Sequence, residues 1–364
     1  MDEENSTVYE KMRPKMQENS PMEEIVQDSS PLAERDIELV NALQVAPRAP
    51  WEDLAEVLGV HPTTLSRRWA RLTDAGLARV SITPGPELLR VMDVAFVELT
   101  CQNNRVLDVV EKLIPDQRLM SIQFIAGPAH LLLTVAAAEH SLSTFLLTTI
   151  GNLDGVLHYS VRSVTSQILD AGRWHFHALP AAKLRSLSQL HKQAFNAGEG
   201  AALRMDTTNQ ALMRALGVDG RASLRELAAV AGISPVAAAR RVARLVGGKY
   251  ITVRCDVTRR GSGRSYSAIL WGSIQPDRVP TLGEGLHDRV PALRLMSSVT
   301  GANNIHMVVW LNNPMDLLQV ERQLLQSVDG LTIEDRRIVL RTFKYNGVRL
   351  DEDGTFGQIV PMAY

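Results

Sequence analysis

At 364 residues, 45% hydrophobic and 22% charged, the chain is long enough for two to four globular domains, and a formal net charge of -1 gives no overall bias toward a polyanionic partner. Its two cysteines, Cys101 and Cys255, stand far apart and form no C-x-x-C pair, which excludes a disulfide framework and a cysteine-rich zinc site and fits a reducing compartment. The longest apolar runs, such as Leu131 to Ala138, fall short of the roughly 20 residues that span a bilayer, so a cytoplasmic protein with no membrane contact is expected.

Charge is distributed unevenly along the chain. Residues 1–31 hold acidic side chains in excess and little apolar periodicity, which predicts a disordered acidic tail. From residue 32 an apolar i, i+3, i+4 pattern (Leu32, Ile37, Leu39, Val40, Leu43) predicts a helix, with Ser30 before Pro31 as its cap. A short helix from Trp51 to Leu58, a turn at Gly59 and a third helix opened by Pro62 complete a unit over 32–85. The period then becomes alternating over 90–170, with strands near 92–100, 118–126, 130–137 and 156–167 separated by helical runs. A connector over 171–204 follows, containing Trp174-His175-Phe176-His177 and the flexible-looking stretch Asn196 to Gly200.

The same order then returns at a fixed offset of 173 residues, the distance from Leu43 to Leu216. Laid over residues 212–245 without a gap, residues 39–72 are identical at nearly half their positions, including Arg48 with Arg221, Gly59 with Gly232, Pro62 with Pro235 and Arg67-Arg68 with Arg240-Arg241. A second three-helix unit is therefore expected over 205–260, capped by Asp206, and a second alternating region over 264–345. In the latter, strands fall near 265–273, 293–300, 305–311 and 331–342 and helices near 278–290 and 315–327, leaving 346–364 as a C-terminal tail. The fold class is α+β: two winged helix-turn-helix domains alternating with two ferredoxin-like βαββαβ domains.

A helix-turn-helix needs a small residue where its helices approach, a glycine at the turn and an apolar residue on the second helix. Ala55, Gly59 and Leu65 meet those needs, and Ala228, Gly232 and Ala238 meet them again. On the third helix the apolar stripe Leu65, Trp69, Leu72 leaves Thr63, Thr64, Arg67, Arg68 and Arg71 facing outward. An arginine fork chelates guanine O6 and N7 or pairs with phosphate, and threonine meets thymine, so double-stranded DNA is the expected partner. The second copy replaces Thr63-Thr64-Leu65-Ser66 by Val236-Ala237-Ala238-Ala239 but keeps Arg240, Arg241 and Arg244, which predicts mainly phosphate contacts there. Arg259 and Arg260, in the run that ends at Arg264, read as a basic hairpin, a wing against the DNA backbone.

The pattern resembles the Lrp/AsnC family of feast/famine transcription regulators in M-D-x-x-N-x-x-L-M (Met205 to Met213), R-A-S-L-x-E-L-A (Arg221 to Ala228), G-I-S-P (Gly232 to Pro235) and R-R-x-x-R-L (Arg240 to Leu245). The resemblance covers nearly everything after residue 31 and implies a small-molecule effector held between subunits at a loop with glycine followed three residues later by aspartate. Here those loops are Gly127-Pro128-Ala129-His130 and Gly301-Ala302-Asn303-Asn304; neither keeps the aspartate that would meet an amino-acid ammonium group. Gly127, His130, Gly301, Asn303 and Asn304 are the effector candidates. The family has one such unit per chain, so the fused pair reads as a built-in pseudo-dimer that forms a homodimer or higher oligomer.

Two other readings compete. Sirohaem decarboxylases resemble the same duplicated architecture, but His130, His158, His175, His177 and His306 are scattered, and no metal or nucleotide motif is present, so neither cofactor nor catalytic residue is expected. The other makes the helix-turn-helix units protein-contact scaffolds, against which the retained outward arginines argue.

Overall fold

Leu39, Val40 and Leu43, spaced to share one side of a helix, are all fully buried in α1 (Glu34–Val45). The computed structural model describes residues 32–195, 203–283 and 285–363; the expected acidic tail, the Ser30 cap and the stretch Asn196 to Gly200 lie outside them. Ala33 stands at the N-cap of α1 and makes no side-chain cap bond. The first unit continues with α2 (Trp51–Leu58), α3 (Pro62–Asp74) and β1 (Ala78–Pro84). β2 (Met92–Cys101), α4 (Val106–Leu113), β3 (Leu119–Ile125), β4 (Leu131–Ala138), a π-helical segment (Phe145–Ile150) and β5 (Val156–Leu169) follow.

After the connector helix α5 (Ala181–Phe195) come α6 (Thr207–Val218), α7 (Leu224–Ala231), α8 (Pro235–Gly247) and β6 (Ile251–Val257). β7 (Tyr266–Ser273), β8 (Leu293–Val299), β9 (Ile305–Leu311), α9 (Leu317–Ser327) and β10 (Thr332–Tyr345) complete the second ferredoxin-like unit. In both units the turn glycine ends the second helix in the left-handed region, Gly59 at φ 76° and Gly232 at φ 65°, where a side chain would be strained. Asp206 caps α6 as expected, accepting from Asn209 N–H at 2.7 Å.

Each ferredoxin-like sheet has the order fourth, first, third, second strand, and the two sheets join at both edges: β5 pairs with β8 and β10 with β3. Eight strands thus close on themselves, which removes the exposed edges an isolated ferredoxin-like sheet presents. Apolar residues from both sheets, among them Phe96, Leu132, Ile269, Trp271 and Val339, form a core between them.

The two helix-turn-helix units are joined as closely. β1 pairs antiparallel with β6, Ala78 opposite Val257 and Pro84 opposite Ile251, with Ser81 facing Arg254, its own counterpart at the 173-residue offset. The strand pair therefore lies on a pseudo-two-fold axis, as in an isologous dimer interface, and one hydrophobic core runs through both units.

Three expectations change. β6 is committed to β1, so Arg259 to Arg264 form no hairpin wing; residues Arg260–Ser262 make a single 3-10 turn. The helix expected near 278–290 is a 3-10 segment Pro276–Thr281 and a short turn Leu286–Arg289, because Pro280 and the positive-φ Gly283 and Gly285 interrupt it. Of residues 346–364, expected as a tail, those described fold back: Asn346 (φ 47°) and Gly347 (φ 73°) form a tight turn into β11 (Val348–Leu350), which pairs with β10 and with β12 (Phe356–Ile359).

Candidate functional site

The first recognition helix, α3, buries Leu65, Trp69 and Leu72 and presents Thr63, Thr64, Arg67 and Arg71 to solvent. Arg67 has no carboxylate partner among the described residues. Arg68 is held inward: it donates to the buried carboxylate of Asp36 on α1 at 3.1 Å, and Arg71, although 62% exposed, reaches the other oxygen of Asp36 at 2.6 Å. In the second unit Arg241, the counterpart of Arg68, donates to Asp206 at 2.8 Å and to Asn209 at 3.0 Å. The Asn209 N–H and then Arg241 hold the Asp206 carboxyl below its ordinary range. Arg240 and Arg244 remain exposed on α8. Of the five expected outward positions on α3, Arg68 is thus a brace between helices, and Arg241 repeats that role.

A second pair of arginines fixes one unit against the other. Arg48 donates to the carbonyl oxygens of Gly220 and, at 2.9 Å, Ala222; its counterpart Arg221 donates to those of Pro47 at 2.7 Å and Ala49 at 3.0 Å. Each fork closes the loop of the opposite unit, and Arg221 also lies over the Trp51 ring at 4.0 Å. Burial, and then the neighbouring Arg48 charge, lower the Arg221 guanidinium to about 10. The repeat alignment contained this pair, but nothing in it distinguishes a self-complementary clasp from a shared helix-start motif.

The expected effector loops are committed to packing. His130 Nδ1 accepts from Cys101 N–H at 3.0 Å and its Nε2 meets Asn103 Oδ1 at 3.0 Å. Asn304 takes the equivalent place in the second half, its amide exchanging two bonds with the Ile274 backbone at 3.0 Å and 2.9 Å. Gly127 lies against Arg337 and Gly301 near Arg162, each an arginine of the opposite half, and both arginines pair with Glu98, at 2.7 Å and 3.2 Å. Asn303 is half-buried beside them.

Between the sheets lies a cavity of about 530 Å³ that the sequence did not reveal. Arg259, expected on the DNA, lines it, and burial lowers its guanidinium; Arg260, also expected on the DNA, stands at the cavity with Asp353 at 3.6 Å. Trp174 of the connector is buried as a packing residue, donating to the Pro291 carbonyl at 2.9 Å. No group of three or more metal-ligating side chains occurs among the described residues, and no described helix is long and apolar enough to cross a membrane.

The model of the AsnC-type helix-turn-helix domain matches residues 34–73 and again 205–246, the two three-helix units. An uncharacterized HTH-type transcriptional regulator of Sinorhizobium fredii is 32% identical over 129 residues, 34% of this chain and 76% of that protein. Among solved structures, the siroheme decarboxylase NirDL in complex with an iron-uroporphyrin III analogue covers 91% of this chain and 94% of its own at a TM-score of 0.55 and 11% identity, a likeness of fold. E. coli AsnC matches 37% of this chain and 92% of its own at 19% identity and a TM-score of 0.33. With two matched helix-turn-helix units, two ferredoxin-like units and a pseudo-two-fold axis between them, the chain belongs to the Lrp/AsnC family of transcription regulators, in tandem-duplicated form.

Proposed function

We propose that the chain is a sequence-specific DNA-binding regulator whose output responds to a small-molecule effector, and that one chain presents both recognition helices. The observation that carries this reading is the equivalent placement of Arg67 and Arg240, exposed on pseudo-symmetric helices without an internal carboxylate partner among the described residues. Thr63, Thr64 and Arg67 read base edges in the first half-site; Arg71, Arg240 and Arg244 supply charge to phosphates, with Arg68 and Arg241 holding their helices in place. The unequal helices fit an operator of two dissimilar half-sites, about one helical turn apart on the duplex.

Fluorescence anisotropy with genomic fragments over a salt series tests it. A log–log salt slope that falls by about 0.9 for each lost phosphate contact is expected for Arg240→Ala, with all sequences weakened alike, whereas Arg67→Ala flattens preference among sequences. Binding indifferent to salt and to both substitutions overturns the reading. The tetrapyrrole-enzyme alternative draws on the fold shared with NirDL. Incubating the chain with sirohaem and finding its mass unchanged is the expected result; loss of carboxyl groups would favour the enzyme.

A further inference from the structure

The inter-sheet cavity holds polar groups that the fold itself leaves unused. Arg294, 4% exposed at the start of β8, has no hydrogen-bond partner for Nε or Nη1, although its guanidinium lies 4.1 Å over the Trp174 ring and 3.9 Å over Trp310. His306, 1% exposed, leaves both ring nitrogens unpartnered, as does Ser267 its hydroxyl and Arg341 its Nε; all four residues line the cavity. Tyr345 meets the Arg294 guanidinium and the Asp256 charge acts on it, but two of its buried N–H donors stay unused, and a buried cation with donors to spare favours an anion placed beside it. Phe96, Leu132, Val308, Trp310 and Tyr345 add aromatic and aliphatic surface to a wall that is otherwise polar, and the volume is in the range of small-ligand sites.

We propose that the cavity is the binding site of an aromatic monocarboxylate, its anionic group held by Arg294 with Arg341 and its ring packed against Phe96 and Trp310. The acidic run Asp351 to Asp353 at the rim does not oppose this, since Glu352 reaches Arg341 at 3.7 Å and Asp353 reaches Arg260 at 3.6 Å, long and exposed pairs that open at little cost. The site also explains how occupancy reaches DNA, a consequence that rests on the regulator reading above. Two lining residues touch the turn that leaves the first recognition helix: Phe356 N–H donates to Gly76 O at 2.8 Å and Thr258 N–H to Leu77 O at 3.0 Å.

Calorimetry on the full chain tests the site without DNA. Benzoate and 2-naphthoate are expected to bind with one site per chain, and neutral 2-naphthamide at least tenfold more weakly. Arg294→Met is expected to lose carboxylate binding more than tenfold while melting within a few degrees of the parent chain, because it removes a fully buried cation whose donors are only partly used; Arg341→Gln, on a half-exposed side chain, weakens binding severalfold and covers the case in which the first variant does not fold. Arg67→Ala binds 2-naphthoate as the parent chain does. Equal affinity for acid and amide, no binding of either carboxylate at millimolar concentration, inorganic phosphate competing as well as 2-naphthoate, or unchanged affinity in both arginine variants overturns the proposal. If 2-naphthoate binds but DNA does not, the site stands and the regulator reading falls.

Discussion

Replacing Arg48 or Arg221 by alanine removes two charge-assisted hydrogen bonds to backbone carbonyls of the opposite unit. Such bonds contribute about 1.5–3 kcal/mol each, and part of that is offset by burial of the cation, visible in the lowered pKa of both guanidinium groups. We expect each substitution to cost about 2–4 kcal/mol, with Arg221→Ala the more severe because it also forfeits the stacking on Trp51. Lysine carries the charge but not the fork, so Arg48→Lys recovers less than half of the loss. Because each arginine's acceptors flank the other arginine, the double variant departs from additivity by at least about 0.5 kcal/mol. Urea unfolding followed by tryptophan fluorescence measures all four. Losses below about 0.5 kcal/mol, or full rescue by lysine, would refute the clasp as the element that sets one helix-turn-helix against the other.

Other perturbations separate further parts of the molecule. Asp36→Asn frees Arg68 and Arg71 from α1 and should destabilise by about 1–3 kcal/mol in denaturant titrations; indifference would remove the brace from the account. Burial, and then the Arg162 charge, lower the His306 ring from 6.5 to about 3, so the folded chain resists protonating it while the unfolded chain does not. Its contribution is complete above pH 6.5 and lost as pH falls toward 3, at about 1.4 kcal/mol per pH unit, and His306→Phe should flatten that part of the stability profile. Gly76→Ala sets a Cβ 2.6 Å from Phe356 O at a φ of 63°, so it should detach β12 from the first unit and cut any effect of 2-naphthoate on DNA affinity while calorimetric binding persists.

The duplication was legible because the helix-turn-helix imposes its demands at fixed positions, and Gly59 and Gly232 meet the same left-handed requirement at the same place. The eight ferredoxin-like strands were legible for the related reason that alternation marks a sheet with one packed face. What escaped was long-range. Arg67 and Arg68 are adjacent letters on one helix, yet one is free and the other braced, because the deciding carboxylate lies 32 positions earlier in Asp36. Arg259 read as part of a wing since nothing local says that β6 pairs with a strand of the first unit. The cavity has no sequence signature at all, being assembled from both sheets and the C-terminal segment. One local signal was overlooked: Asn346-Gly347 before Val348 is a tight-turn dipeptide, and it foretells the hairpin that the expected tail becomes.

The pairing of β1 with β6 inside one polypeptide also bears on copy number. A reader assembled from separate subunits falls apart on dilution, so its occupancy of an operator declines faster than its abundance. Here the second half arrives with the first at every dilution, tethered rather than recruited. For the DNA reader proposed above, the response to falling abundance is then proportional instead of cooperative.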